Sequence, residues 1–241
     1  MRLAGVVAAL CLTGGVAQAA PFDVVGATYT EPTDRYTHGI LGDAIEWGAL
    51  LLAVDACPDC PDMDLREFTI RLPETRVFED TAPRLVDIDN DGLNEVMVVE
   101  TSLTKGARLA IYDENGLKAA IPYIGETNRW LAPVGVADMD GDGTIELVYV
   151  DRPHLFKILT VWRWKNGALE KVADRAELTN HRIGETDIGG GMRDCGGLVE
   201  AITANADFTR VMATRLDTGR LFSRDVGPYE GRQSFADALS C

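Results

Sequence analysis

Asp87-Ile-Asp89-Asn-Asp91-Gly92-Leu93-Asn-Glu95 and Asp138-Met-Asp140-Gly-Asp142-Gly143-Thr144-Ile-Glu146 share the pattern D-x-D-x-D-G-x-x-E, and their starts lie 51 residues apart. Four carboxylates in nine residues repel one another, and such a loop is hard to order without a cation. Oxygen ligands at this density suit Ca²⁺ better than Mg²⁺, which resists dehydration and all-protein cages. Positions 1, 3 and 5 put three carboxylates inside a tight turn, Gly at position 6 lets the backbone bend, and the carbonyl of position 7 can point inward. The expected ligands are therefore Asp87, Asp89, Asp91, Leu93 and Glu95 in one loop, and Asp138, Asp140, Asp142, Thr144 and Glu146 in the other. An EF-hand places its last Glu at position 12 and needs flanking helices. Here the Glu leads straight into Val96–Val99 or Leu147–Val150, short β-branched runs that read as strands. A plain acidic turn would explain one such match; two matches at a repeat spacing favour a pair of strand-to-strand Ca²⁺ loops.

Working outward, Glu46 and Glu200 also open apolar runs, so the spacing along Glu46, Glu95, Glu146 and Glu200 is 49, 51 and 54 residues. Asn115-Gly116, Asn166-Gly167 and Asp217-Thr-Gly219 supply a second ruler, with glycines 51 and 52 apart. The first two are expected to be two-residue hairpin turns with positive φ at both central positions. Two markers keeping one period indicate a repeat. Each unit reads as strand, loop, strand, strand, hairpin, strand, which is the size of a propeller blade. The expected fold is all-β: a small β-propeller of about four blades of four antiparallel strands. Its units fall at about 35–79, 80–123, 129–174 and 178–226, with a tail at 227–241 holding a helical turn or two. The strand at 22–30 could complete the last blade and close the ring; the alternative is an open stack of blades, or half of a dimeric ring.

The first 19 residues read as a secretory leader: Arg2, an apolar stretch from Leu3 to Leu12, and Ala17-Gln-Ala19 as a cleavage site. Residues 20–241 would then be one domain, periplasmic or secreted, with 22 basic and 38 acidic residues and a net charge of −16. That charge argues against nucleic acid and anionic membranes as partners, and no later segment is long and apolar enough to insert in a membrane. A protein or glycan partner is the expectation. Four cysteines remain in an exported chain, which suggests disulfides. Cys57 and Cys60 most simply pair with each other, and Cys195 with the terminal Cys241; the sequence leaves other pairings open.

A basic residue precedes each loop: Arg35 and His38, Arg84, Arg129, His181 and Arg182. If these line a propeller axis, Arg35, His38, Arg129, His181 and Arg182 form an anion site for a carboxylate or phosphate. The competing expectation is that each Arg pairs with nearby acids. The three histidines show no zinc spacing, no Ser sits in G-x-S-x-G, and Gly189-Gly-Gly191 reads as a flexible loop. Trp162 and Trp164 share a strand face and suit blade packing.

The loop motif followed by an apolar strand, twice inside a period of about 50, resembles the FG-GAP or VCBS repeat family, the integrin-α-like β-propellers. The resemblance is carried by the two loop units; the flanking units share only the spacing, and the Phe-Gly and Gly-Ala-Pro marks are absent, with Trp130-Leu-Ala-Pro133 near where they would fall. It implies two structural Ca²⁺ ions in the middle units, and it implies no single activity. The function expected is a binding or scaffold module. The alternative is an enzyme or small-anion-binding protein with its site on the axis.

Overall fold

A computed structural model describes residues 22–241; the expected leader at 1–19 lies outside them. The described residues form seventeen strands and one helix in three antiparallel sheets. The first sheet holds β1 (Asp23–Thr33), β2 (Glu46–Asp55), β3 (Leu65–Arg71), β4 (Arg76–Phe78), β5 (Arg84–Val86), β6 (Glu95–Ser102), β7 (Gly106–Asp113) and β8 (Gly116–Ala120). Its order is β1-β2-β4-β6-β7-β8, with β3 beside β2 and β5 beside β6. The second contains β9 (Leu131–Ala137), β10 (Glu146–Asp151), β11 (Ile158–Lys165) and β12 (Ala168–Arg175) as a meander. The third contains β13 (Leu178–Thr179), β14 (Gly191–Arg193), β15 (Glu200–Asn205), β16 (Arg210–Asp217) and β17 (Arg220–Pro228), followed by α1 (Gln233–Leu239).

The apolar runs after the acidic loops become β6 and β10, buried on both faces. That is why they lack the polar–apolar alternation of a half-exposed strand. One face of β6 packs Met97 and Val99 against Leu109, Ile111 and Leu131; the other packs Val96 and Val98 against Leu50, Leu52 and Phe78.

The expected role of the N-terminal strand and the expected division of the first two units are corrected. The N-terminal strand does not complete the last blade: β1 pairs with β2 from Asp23↔Asp55 to Thr33↔Glu46. Val24 and Tyr29 are buried with Leu50, Leu52 and Phe78, so the apolar side of β1 is satisfied inside the first sheet. No sheet is closed. The stretches read as units one and two also do not form separate four-stranded blades. The three-residue β4 pairs Phe78 with Trp47 of β2 on one edge and with Glu100 of β6 on the other, joining them into one eight-stranded sheet.

The hairpins divide. Asn166-Gly167 is a two-residue turn with φ of 52° and 79°. At the other, Glu114 and Asn115 occupy the turn and, of Asn115 and Gly116, only Gly116 has positive φ, 112°, which fits a type I turn with a bulge. The three glycines at 189–191 are not a flexible loop. A Cβ on Gly189 would lie 2.3 Å from the Phe235 ring, and one on Gly190 would lie 2.0 Å from the Ile202 carbonyl oxygen. They let α1 and β15 approach closely, and Phe235 is buried there with Ile202, Ala204, Val211 and Ala213. Disulfides join Cys57 to Cys60 and Cys195 to Cys241, and the second fastens the chain end beyond α1.

Candidate functional site

The two acidic loops share four hydrogen bonds, and the second adds one from Gly141 N–H to Asp138 at 2.7 Å. Asp87 accepts the amides of Asp91 (3.1 Å) and Gly92 (2.9 Å), as Asp138 accepts those of Asp142 (3.1 Å) and Gly143 (2.9 Å). Asp91 accepts Leu93 N–H at 2.9 Å, and Asp142 accepts Thr144 N–H at 2.8 Å. Glu95 reaches back to Ile88 N–H at 3.1 Å, and Glu146 to Met139 N–H at 2.8 Å. Position 4 of each loop has positive φ, 60° at Asn90 and 76° at Gly141. Both residue types tolerate that conformation, a signal the sequence carried beside the glycine at position 6.

This folding brings Asp87, Asp89 and Glu95 together, with one carboxylate oxygen from each within 4.8 Å of the others, and does the same for Asp138, Asp140 and Glu146. Asp91 and Asp142 sit outside these groups on the exposed side. One oxygen of Asp89 and its counterpart on Asp140 are buried without a hydrogen-bond partner. A buried carboxylate oxygen normally has a partner. The same orphan in both loops, inside an all-oxygen set, fits a hard divalent cation. Each cluster can hold a metal ion.

Sequence reasoning missed the cations that the protein itself supplies. Lys118 of β8 reaches Asp89 (2.7 Å) and Glu95. Arg163 of β11 reaches Asp140 (2.6 Å), Asp142 (2.9 Å) and Glu146. Burial raises the pKa of both Glu95 and Glu146 against the opposing pull of these bonds and charges.

Residues 87–149 match the FG-GAP-like repeat. No match was found among curated proteins. The FG-GAP-like repeat runs from the first ligand of one loop, through β6 to β9, into β10 beyond the second loop. Outside it, the strand-opening glutamates persist while the ligands do not. Glu200 is held by Arg193 (2.5 Å) and Arg224 (2.8 Å). Burial works against its charge, but those two arginines prevail and hold its pKa below the usual range. Glu46 is buried with no cation beside it. Burial, then Glu79, Asp43 and Asp80, push its pKa up to about 9.

A second cluster, partly within the FG-GAP-like repeat, lies where segments next to all three sheets meet. His38 Nδ1 lies 2.5 Å from the buried carboxylate of Glu79. Trp130 donates its indole N–H to the Glu79 carbonyl at 2.9 Å and meets His181 edge-on at 5.0 Å. Gly184 N–H then bonds the Ile40 carbonyl at 3.1 Å, leading back to the segment that carries His38. Beside this cycle is a pocket of about 310 Å³ lined in part by His38, Ile40, Arg129, Trp130, Arg152 and His154.

The pocket gathers His38 and Arg129 of the expected anion residues, with His181 just behind. Arg182 lines a neighbouring recess with His181 and stacks 3.9 Å over Phe208. Arg35 is apart, bound to the Arg76 carbonyl and Glu74. The arginines are mostly paired locally: Arg84 with Asp80, Arg129 with Glu126, Arg152 with Asp151. Trp130, Arg152, His154 and Glu79 were not foreseen as site residues; no spacing rule joins them.

The hydrogen-bond network assigns the histidine tautomers. The Glu185 carbonyl can only accept, so His181 Nε2, 3.0 Å away, carries the hydrogen. Burial lowers the His181 pKa, so the ring is neutral and its Nδ1 accepts from His154 Nε2–H at 2.9 Å. His154, pushed down to about 4 by burial and then by His181 and His38, is neutral too. Its Nδ1 therefore carries a lone pair.

Proposed function

We propose that this chain is an exported binding module of propeller type, in which two Ca²⁺ ions order the paired acidic loops. The observation that carries the reading is the duplicated carboxylate cluster with the same orphaned oxygen in each copy. Asp87, Asp89, Asp91, Glu95 and the Leu93 carbonyl would hold one ion; Asp138, Asp140, Asp142, Glu146 and the Thr144 carbonyl would hold the other. Ca²⁺ suits these flexible oxygen ligands. Its role is structural: it cancels repulsion in loops that lead directly into the buried strands β6 and β10, and it stabilises the folded state by mass action.

Two disulfides suit an oxidising compartment, and no helix among the described residues is long and apolar enough to cross a membrane. The disulfides support the periplasmic or secreted reading; the partner proposed is a protein or glycan, and the acidic net charge argues against nucleic acid. An enzymatic reading has less support, because among the described residues no Ser, Cys or carboxylate lines the central pocket.

Calorimetric titration of the EGTA-treated protein with Ca²⁺ tests the metal assignment. Two equivalents and a raised melting temperature are expected, with Asp89→Asn and Asp140→Asn each removing one equivalent. An unchanged melting temperature with no heat of binding would remove Ca²⁺ from the account.

A further inference from the structure

The central pocket combines features that the metal loops do not explain. Two exposed apolar side chains, Leu155 at 58% and Ile183 at 70%, belong to its lining, and Ile40 and the Trp130 ring supply further apolar wall. Large apolar side chains exposed around a concavity mark a binding site more often than a chance surface. Its volume of about 310 Å³ suits a ligand of about ten heavy atoms.

The pocket has fixed cationic donors. Arg152 gives Nε and Nη2 to Asp151 at 2.9 and 2.7 Å and lies 4.1 Å over the Phe156 ring, so its plane is held on two sides. Among the described residues its Nη1 donates to no protein group. Arg129 gives Nη1 to the Asn128 carbonyl and Nη2 to Glu126. A held guanidinium with an unused edge favours a carboxylate. The rest of the lining limits the charge the ligand can carry. His154 turns a lone pair, not a donor, to its unbonded side, and Glu79 stands behind His38. A second anionic group would meet acceptors there.

We propose that this pocket binds an apolar monocarboxylate, its carboxylate on Arg152 and Arg129 and its apolar body against Ile40, Trp130, Leu155 and Ile183. The proposal deepens the reading of the chain as a binding module and does not depend on which metal the loops hold.

Phenylacetate, titrated into the full-length protein by calorimetry and by ligand-observed NMR, tests it. A Kd of about 1 mM or tighter is expected, with phenylacetamide, adipate and inorganic phosphate each at least about tenfold weaker. Arg152→Gln should weaken phenylacetate about tenfold, and Ile183→Ser, at an exposed position, should weaken it while leaving the fold intact. No binding at about 10 mM, equal binding of the amide, tighter binding of adipate or phosphate, or no effect of Arg152→Gln in the folded protein would each overturn the proposal. Repeating the titration in Ca²⁺ and in EGTA separates the two readings. Phenylacetate binding that survives EGTA with an unchanged melting temperature removes calcium alone; calcium binding without phenylacetate binding removes the pocket alone.

Discussion

Arg163 stands directly across from Glu146 in the β10–β11 register, and its guanidinium spans the carboxylates of Asp140, Asp142 and Glu146. Lys118 bridges Asp89 and Glu95 in the other loop from a different strand. Each loop therefore has a tethered cation placed where it would compete with a diffusible one.

Arg163→Gln separates the two roles. Without metal, the variant should lose about 2 kcal/mol, the scale of charge-assisted bonds to buried carboxylates. Its gain on adding Ca²⁺ should exceed that of the wild type, because no side chain has to be displaced. Melting curves in EGTA and in Ca²⁺ measure both effects, and a smaller gain in the variant would refute the competition.

Glu46 sets the alkaline side of stability. Its folded-state pKa of about 9 lies above the ordinary 4.5, so the protein takes up a proton on folding between these values. The contribution is complete below the lower value and is lost as pH rises through the upper one. Glu46→Gln, which keeps the shape and removes the charge, should flatten the decline in denaturant midpoint from neutral pH to about 9. A decline as steep as in the wild type would count against a protonated Glu46.

Glu100 works in the opposite sense. Its fully buried carboxylate accepts from Tyr112 (2.5 Å), Tyr123, Arg76 (2.9 Å) and Arg108 (3.0 Å). Burial opposes the charge, yet the two tyrosine hydroxyls and Arg108 outweigh it and lower the pKa. A lowered value gives stability that is present above the unfolded pKa and lost as pH falls through the folded one. Glu100→Gln should cost about 3 kcal/mol at pH 7 by leaving the buried network uncompensated and should reduce acid sensitivity. Urea unfolding at neutral and acid pH would show both.

The disulfides should contribute unequally. Cys195–Cys241 spans 46 residues and fastens the segment after α1, worth about 4 kcal/mol in the loop-entropy model, against about 2 for the short Cys57–Cys60 loop. Cys195→Ser with Cys241→Ser should lower the melting temperature clearly more than the same change at 57 and 60. Differential scanning calorimetry of the two double variants decides the order.

The loops and strands were legible because their determinants are local. Carboxylate spacing, the glycine at position 6 and a β-branched run all act within a dozen residues. Pairing of β1 was not legible: an apolar strand can add to any open edge, and the choice of β2 depended on a core contributed by Leu50, Leu52 and Phe78. At three residues, β4 is too short to show a period, yet it fuses two expected units. The stretches that lead up to Glu46 and Glu200, at 39–46 and 187–200, stand where the acidic loops fall in the middle units, and they had different fates. Ile40 lines the pocket, whereas Gly189 and Gly190 seat a helix and a strand. The pocket itself draws on residues 38, 130, 152, 154 and 183, with 79 and 181 behind them, which only the folded chain brings together.

The cycle from His38 through Glu79 and Trp130 to His181 returns to its start through a single backbone hydrogen bond, Gly184 to Ile40. Among the described residues, no strand of the first sheet is bonded to one of the third. The first and last sheets therefore meet at this seam without a shared ladder, the one bond contributing about 1 kcal/mol beside the packing of Ile40, Leu41 and Ile188 in one apolar cluster. The joint between the two ends of the fold is thereby also a wall of its central pocket, where Ile40 from one end and Ile183 from the other line the same space.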